Sequence, residues 1–277
     1  MKIDFKDALM LSTHNEKHLL KIPQLDAQCI MLNLEDGVSK EQKPEALRLC
    51  GEYLQKYKEQ EKMFVVRVNA IDEGGIDEIN YINQFKPDAI RVPKIQTPED
   101  VEKIINLIDK DIEVHLSIES ANAWNNLNKL RINERVTTFY IGMLDLSADL
   151  GLSQSIVDRD NPTMTYMLSH FLITCKSIGV KPVSFVYQDY KNLEEFSKWL
   201  ELEKKMGFKA KGCISPKQSE LVQKIFGQSE EEIKRALKIV ELFEANEAKG
   251  ITGFVDEELG FIDEPIYKGA KVILERN

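Results

Sequence analysis

Short, nearly continuous apolar segments alternate with longer amphipathic segments along most of this chain, and no other feature constrains the fold as strongly. Eight apolar segments are candidate strands, at residues 8–14, 29–36, 64–69, 89–95, 113–120, 137–145, 181–187 and 210–216. Strands in which almost every residue is apolar are typical of parallel sheets, because helices cover both faces of such sheets. The pattern therefore predicts eight strand–helix units.

The segments between the strands carry signals for helix starts and ends. After the fourth candidate strand, Thr97 is a suitable N-cap and Pro98 suits the first helical position. After the seventh, an apolar stripe at helical spacing ends at Gly207, a residue type that often terminates helices. The same reasoning predicts helices over residues 161–179 and 229–248.

Eight such units in 277 residues favour a closed (β/α)8 barrel, or TIM barrel, because a flat sheet of eight parallel strands would leave two long edges unprotected. A doubly wound open sheet is the alternative. We assign the barrel to residues 1–227 and a C-terminal helical extension to residues 228–277, with a last helix at 265–275. No proline- or glycine-rich linker separates the two, so we expect one domain whose extension acts as a lid or an oligomer contact.

Charge and composition narrow the class of partner. Lys and Arg number 37 against 46 Asp and Glu, a formal charge of -9, which argues against nucleic-acid or anionic-membrane partners. An anionic substrate would need local positive charge. The four cysteines form no CxxC pair, and the N-terminal segment lacks the apolar region of a signal peptide. We therefore expect a protein of the reducing cytoplasm.

Carboxylates at the ends of neighbouring strands are the sharpest chemical signal. Glu119 closes the fifth candidate strand and Asp145 the sixth. In a barrel the active site lies at the carboxyl ends of the strands, about 4.8 Å apart, so these two side chains could converge on one cation. Mg²⁺ is commonly held by one or two protein carboxylates plus waters and substrate oxygens. Two unrelated acids at the rim are the alternative.

Further polar residues close the other strands. Arg67, at the end of the third, suits a bidentate grip on a carboxylate or the stabilisation of an oxyanion, and a structural salt bridge with Glu35 or Asp36 is its alternative. His14 and Lys94 end the first and fourth strands. No GxGxxG, GxxxxGK[ST], GxSxG or HExxH motif is present, which excludes the simplest nucleotide-binding, serine-hydrolase and zinc-protease interpretations.

At these strand ends the chain resembles the citrate lyase beta subunit family, within the wider HpcH/HpaI aldolase group that includes malyl-CoA and citramalyl-CoA lyases. The matching motifs occur in family order and cover nearly the whole chain. They are LNLEDGVSKEQKPEAL from Leu32, including Lys43, then VRVN from Val66, VPK from Val92, IES from Ile118, GMLDLSADLG from Gly142 and GFKAKGCISPKQ from Gly207.

The resemblance implies a Mg²⁺-dependent barrel that makes or breaks a carbon–carbon bond between a 2-oxo acid and the enolate of an acyl thioester. It implies that Glu119 and Asp145 ligate the metal, that Arg67 binds substrate oxygens, and that Glu35 and Asp36 order the metal's waters or Arg67. Lys94 and His14 would contact substrate, and Lys17, with the loop after His14, the phosphates of coenzyme A. Such enzymes usually form trimers or multiples of trimers, so a homo-oligomer is expected.

Four positions depart from the family pattern. Asn33 replaces the first aspartate of DLED, Ser215 stands in the histidine place of IHPxQ, Val183 replaces an aspartate, and Leu259 precedes Gly260 where malyl-CoA lyases carry an acid. These departures keep open a non-catalytic binding subunit derived from the lyases. The resemblance also implies a second enzymatic alternative, thioester hydrolysis, in which water attack replaces the enolate, since relatives carry out that reaction.

Overall fold

The computed structural model describes residues 4–274, which form two compact units, one ending at Phe226 and one starting at Gly227. Each unit is described separately. Within the described residues, no helix is both long and apolar enough to cross a membrane.

The first unit is a barrel of eight parallel strands. Their order is β7-β6-β5-β4-β3-β2-β1-β8, and a bridge between Ser184 and Lys211 closes the circle. At this seam the Ser184 N–H donates to the Ala210 carbonyl at 2.9 Å and the Gly212 N–H donates to the Ser184 carbonyl at 3.2 Å. The predicted barrel is confirmed and the open sheet is wrong. The strands are β1 Asp7–Ser12, β2 Cys29–Asn33, β3 Met63–Arg67, β4 Ala89–Val92, β5 Glu113–Ile118, β6 Val136–Ile141, β7 Lys181–Val183 and β8 Lys211–Cys213.

Every predicted strand is present, but each ends before the predicted boundary, and at residues 137–145 the difference moves a candidate site residue. Strand β6 stops at Ile141, and the Gly142 N–H makes the last bond to its neighbour, at the Ile118 carbonyl. The Gly142 carbonyl then accepts from Leu146 and begins a helix. Asp145 therefore lies in the first turn of that helix and not on a strand, which corrects the sequence-based placement.

The helices of the barrel unit follow the predicted start and stop signals. Thr97 and Asp100 form a capping box, and Gly207 ends its helix with φ 103°. The helices are α1 Glu16–Leu19, α2 Lys43–Tyr57, α3 Gly75–Asn83, α4 Pro98–Leu107, α5 Ala121–Asn125, α6 Met143–Asp149, α7 Pro162–Ser177, α8 Leu193–Met206 and α9 Pro216–Phe226, with short 3₁₀ turns at Ile22–Gln24, Ile71–Glu73, Leu127–Lys129 and Gln154–Ile156.

Alternate residues of several strands belong to two different cores. Ile30 and Leu32 of β2 pack in the large cluster under the helices, whereas Cys29 and Met31 pack with Val65 and other strand residues in a smaller cluster. Because successive side chains of a strand point to opposite faces, the smaller cluster is the barrel interior. Nearer the carboxyl ends of the strands, the inward-facing residues are polar. These side chains form the site described below.

The second unit contains two helices and a hairpin. Its core is formed by Ala236, Ile239, Phe243, Ile262 and Ala270. The antiparallel hairpin was not predicted, since the sequence suggested only a turn-rich stretch before the last helix. Residue 275 of the predicted last helix lies outside the described residues. The elements are α10 Glu230–Glu247, β9 Gly253–Asp256, β10 Gly260–Asp263 and α11 Glu264–Leu274.

Candidate active site

A cavity of about 360 Å³ lies at the carboxyl ends of the barrel strands, where active sites of this fold occur. A neighbouring cavity of about 590 Å³ shares Asp36, Glu119 and Asp145 with it. The first cavity is lined by Met10, Asp36, Gly37, Arg67, Arg91, Glu119, Ile141, Gly142, Met143, Leu144, Asp145, Val186, Gln188 and Ile214.

Arg67 ends β3 and points into this cavity from the barrel interior. Its Nη1 lies 3.0 Å from Glu35 Oε2, and its Nη2 lies 3.7 Å from Asp36 Oδ2. Its Nε donates to Asn33 Oδ1 at 2.7 Å. The salt bridges considered from the sequence are thus present, and they hold the guanidinium in the cavity wall, so the structural and substrate-binding interpretations are compatible.

Asn33 organises the loop that follows β2. Its Oδ1 also accepts from the Glu35 N–H at 3.2 Å, and its Nδ2 donates to the Asp36 carbonyl at 2.6 Å. One buried amide therefore fixes both the loop and the Arg67 side chain. This departure from the family pattern retains an acceptor for the arginine.

Glu35 is a buried carboxyl with a raised pKa. Burial raises its pKa to about 7, and the positive charge of Arg67 only partly opposes this effect. Its Oε2 lies within ion-pair distance of Arg67 but makes no aligned hydrogen bond with the described residues. A buried carboxylate oxygen without a hydrogen-bond donor is suited to accept from an ordered water.

Glu119 follows β5, and its position depends on two neighbouring loops. Its Oε1 accepts from the Lys94 N–H at 2.6 Å, and a Cβ on Gly142 would lie 2.8 Å from the Glu119 Cβ. Burial raises the pKa of Glu119, while the charge of Arg91 is the largest opposing influence. Asp145 is exposed in the first turn of α6 and lines the same two cavities.

The donor set fits a magnesium ion better than a metal that needs a full protein cage. Among residues 4–274, no group of three or more His, Cys, Asp or Glu side chains is placed to hold a metal. Glu119 and Asp145 supply two carboxylates beside open space. Proteins commonly bind Mg²⁺ through one or two carboxylates, and waters complete the coordination shell of the ion. Glu35 Oε2 offers an acceptor for such a water.

Three other residues predicted to bind substrate do not point into the cavity as Arg67 does. Lys94 lines the second cavity, but its exposed Nζ pairs with Glu73 at 2.9 Å, and its backbone, at φ 55°, holds Glu119. His14 Nδ1 lies 2.8 Å from Ser12 Oγ, and Lys17 is exposed on α1. Neither His14 nor Lys17 lines either of these cavities, so their contact with an acyl carrier stays a prediction.

The other departures from the family pattern have ordinary structural roles. Val183 packs in the barrel interior, and Ser215 Oγ accepts from the Gln218 N–H at the start of α9. Leu259 lies in the turn of the C-terminal hairpin, where its N–H donates to Asp256. The sequence interpretation missed Arg91, a buried arginine in the cavity wall. The available signal was an arginine inside the apolar run of β4, two residues after the inward-facing Ala89.

Comparison with known proteins identifies relatives over most of the chain. The family model described as HpcH/HpaI aldolase/citrate lyase matches residues 7–216. The chain is 30% identical to the citrate lyase subunit beta of Haemophilus influenzae over 261 residues, 89% of this chain and 88% of that one. It is 29% identical to the (3S)-malyl-CoA thioesterase of Cereibacter sphaeroides over 247 residues, 89% and 85% of the two chains.

Solved structures share the fold at lower identity. A citrate lyase from Burkholderia xenovorans superposes with a TM-score of 0.86 at 18% identity, covering 100% of this chain and 92% of that one. The protein CitE from Mycobacterium tuberculosis, solved with magnesium, acetoacetate and coenzyme A, has a TM-score of 0.80 at 22% identity and covers 98% and 97%. The motifs at the strand ends, the barrel and the extent of these matches lead to one conclusion, that the chain belongs to the HpcH/HpaI aldolase/citrate lyase family.

Proposed function

We propose that this protein is a Mg²⁺-dependent carbon–carbon lyase that cleaves or forms a 3-hydroxy-acid thioester of the citryl-, malyl- or citramalyl-CoA type. The observation that carries the proposal is the convergence of Arg67, Glu119 and Asp145 on one cavity. An acidic protein needs local positive charge to bind an anionic acid, and an arginine together with a cation held by two carboxylates would provide it.

The residues of this chain have separate tasks in such a reaction. Cleavage of the carbon–carbon bond leaves negative charge on an enolate oxygen, and the Arg67 guanidinium, fixed by Asn33 and Glu35, can stabilise charge without moving. Glu119 and Asp145 would hold Mg²⁺, which when bound polarises a carbonyl or carboxylate as a Lewis acid. Glu35, with a pKa of about 7, can hold or release a proton near neutral pH.

The names of related proteins support this assignment and keep one alternative. Structures of the Mycobacterium tuberculosis relative were solved with magnesium and oxaloacetate, or with magnesium, acetoacetate and coenzyme A. A homologue named (3S)-malyl-CoA thioesterase, 29% identical, favours thioester hydrolysis as the second candidate. The two reactions give different products, since a lyase releases an acyl-CoA and an oxo acid, whereas a hydrolase releases free CoA.

The proposal is tested by substrate turnover together with metal binding. Purified protein is assayed with citryl-, malyl- and citramalyl-CoA at millimolar Mg²⁺, and the products are separated by chromatography. We expect acyl-CoA and oxo acid, a loss of kcat/KM of more than about 100-fold in Glu119→Gln and Asp145→Asn, and loss of calorimetric Mg²⁺ binding in both. Glu220→Gln, an exposed acid on α9, is the matched control and should change neither.

Each contrary result has a definite meaning. Free CoA as the only thiol product would replace the lyase with the hydrolase. If no thioester is consumed and Mg²⁺ binds Glu119→Gln as tightly as it binds the unmodified chain, both enzymatic assignments fail.

A further inference from the structure

Arg91 is a second arginine inside the barrel, next to Arg67. The two residues are directly paired in the register of the adjacent parallel strands β3 and β4, so both side chains point inward from the same level. Arg91 is 6% exposed and lines the same cavity as Arg67 and Glu119. Nothing in the reaction proposed above uses it.

The protein does not neutralise this guanidinium directly. Its Nε donates to Ser117 Oγ at 2.9 Å, and its Nη1 contacts Met31 Sδ at 3.4 Å, which is a weak acceptor. Over residues 4–274 no ion pair includes Arg91, and its Nη2 has no hydrogen-bond partner. Its plane lies against the Tyr140 ring, with Cζ 4.2 Å from the centroid.

A half-buried arginine kept for structure has a different environment. Arg135 donates from Nε, Nη1 and Nη2 to the backbone carbonyls of Ile105, Ile108, Asp109 and Ile112, and so joins the ends of neighbouring segments. Arg91 has only a hydroxyl, a thioether and a ring. Burial of a cation with so few partners costs free energy, and proteins retain such groups where a ligand supplies the missing partner.

The electrostatic surroundings favour an anion here. Burial is the main cause that lowers the pKa of Arg91 to about 10, and the charge of Arg67 adds to it. The carboxylates of Glu119 and Glu35 act at longer range and only partly offset these effects. The guanidinium groups of Arg67 and Arg91 lie at one level of the cavity, so each can pair with one anionic group of a single small ligand.

We propose that Arg91 binds a second carboxylate of the substrate, so that the oxo-acid portion is a dicarboxylic acid whose distal carboxylate reaches the barrel interior. This inference rests on the proposed function for the identity of the first group, the 2-oxo or 2-hydroxy acid held near Arg67. Ser117 and Tyr140 act as positioning residues, because they hold the guanidinium plane in the cavity wall without using Nη2.

The test compares acids that differ only in the distal carboxylate. Dissociation constants are measured by calorimetry at fixed Mg²⁺ for 2-oxoglutarate against 2-oxopentanoate and for malate against 2-hydroxybutanoate. We expect at least one dicarboxylate to bind about 10-fold more tightly than its partner, since a hydrogen bond to a charged group contributes about 1.5–3 kcal/mol. In Arg91→Met this ratio should fall to nearly one, and Arg91→Lys should retain part of it.

Stability measurements separate this role from a structural one. Arg91→Met should unfold at the same or a higher temperature than the unmodified protein, because it removes an uncompensated buried charge. Arg135→Met is the matched control, and it should lower the unfolding temperature without changing the ratio of affinities. A persistent dicarboxylate preference in Arg91→Met, equal affinities for both acids of each pair, or no binding of any acid would each overturn the inference.

Failure of the inference and failure of the proposed function give different results. If the preference depends on Arg91 but no thioester is consumed, the subsite stands and the lyase assignment fails. If thioesters are cleaved while the affinity ratios are near one in the unmodified protein, the lyase stands and the Arg91 subsite is wrong.

Discussion

The backbone of Gly142 occupies the space beside Glu119 that a side chain would need. A Cβ at Gly142 would lie 2.8 Å from the Glu119 Cβ and 3.1 Å from its Oε2. Gly142 also donates its N–H to the Ile118 carbonyl at 2.9 Å, immediately before Glu119. One side of the proposed metal site is therefore set by the backbone at the start of α6, where Gly142 contributes no side chain.

Gly142→Ala should weaken Mg²⁺ binding without preventing folding. The new methyl group must displace Glu119, and overpacking of this kind typically costs about 1–3 kcal/mol. We expect the dissociation constant for Mg²⁺ to rise by about 10-fold or more, measured by calorimetry, because a ligand moved by a fraction of an ångström no longer meets the octahedral geometry that Mg²⁺ requires.

Gly269→Ala is the control for this substitution. Gly269 lies within α11, and a Cβ there meets no atom within 4 Å. This variant should bind Mg²⁺ normally and gain about 0.5–1 kcal/mol of stability from its higher helix propensity. Unchanged Mg²⁺ affinity in Gly142→Ala would show that Glu119 does not ligate the ion.

Asn33 should act on substrate affinity through Arg67. Asn33→Leu removes the acceptor for Arg67 Nε and both bonds to the following loop, whereas Asn33→Asp keeps the acceptor. We expect the dissociation constant for a 2-oxo acid to rise about 10- to 100-fold in Asn33→Leu, the range for residues that orient a binding group, and to rise less in Asn33→Asp. Equal losses in both variants would contradict an orienting role.

Glu35 should make stability depend on pH in the metal-free protein. Its pKa in the folded chain, about 7, lies above the ordinary value of 4.5. The stabilising contribution is therefore fully present below pH 4.5 and is lost as the pH rises through 7, by up to about 3 kcal/mol. Relative to Glu35→Gln, the unmodified protein should lose stability over this window, measured by urea unfolding in chelator. Parallel pH profiles for the two proteins would refute this assignment.

A buried ion pair supports the seam where the barrel closes. Lys211 Nζ lies 2.6 Å from Glu203 Oε1, both side chains are fully buried, and Ser184 Oγ donates to the same oxygen at 2.6 Å. Lys211→Met should cost about 3–5 kcal/mol in urea unfolding, because it leaves the Glu203 carboxylate without its cation.

The double variant Lys211→Met with Glu203→Met should recover much of that loss, since no charge then remains buried. The exposed pair of Lys198 and Glu194, 2.8 Å apart on α8, is the comparison, and Lys198→Met should cost less than about 1 kcal/mol. A cost of Lys211→Met as small as that of Lys198→Met would contradict a charged pair at this seam.

Most of the fold followed from local patterns in the sequence. Apolar runs located all eight strands, and the capping signals at Thr97 and Gly207 located helix ends, because burial and capping depend on residues close in the chain. The strand ends were less predictable. Hydrogen bonding to a neighbour decides where a strand stops, and Asp145 was therefore expected on a strand although it lies on a helix.

The sequence by itself determined the barrel and the family, since motif order and apolar periodicity are written along the chain, and it predicted Arg67, Glu119 and Asp145 as site residues. The tertiary structure alone decided which side chains meet. Asn33 and Glu35 contact Arg67 across two strands, Gly142 makes room for Glu119, and Arg91 faces the cavity from the level of Arg67. These relationships depend on register between strands that are distant in sequence, and each residue by itself carries no signal of its partner.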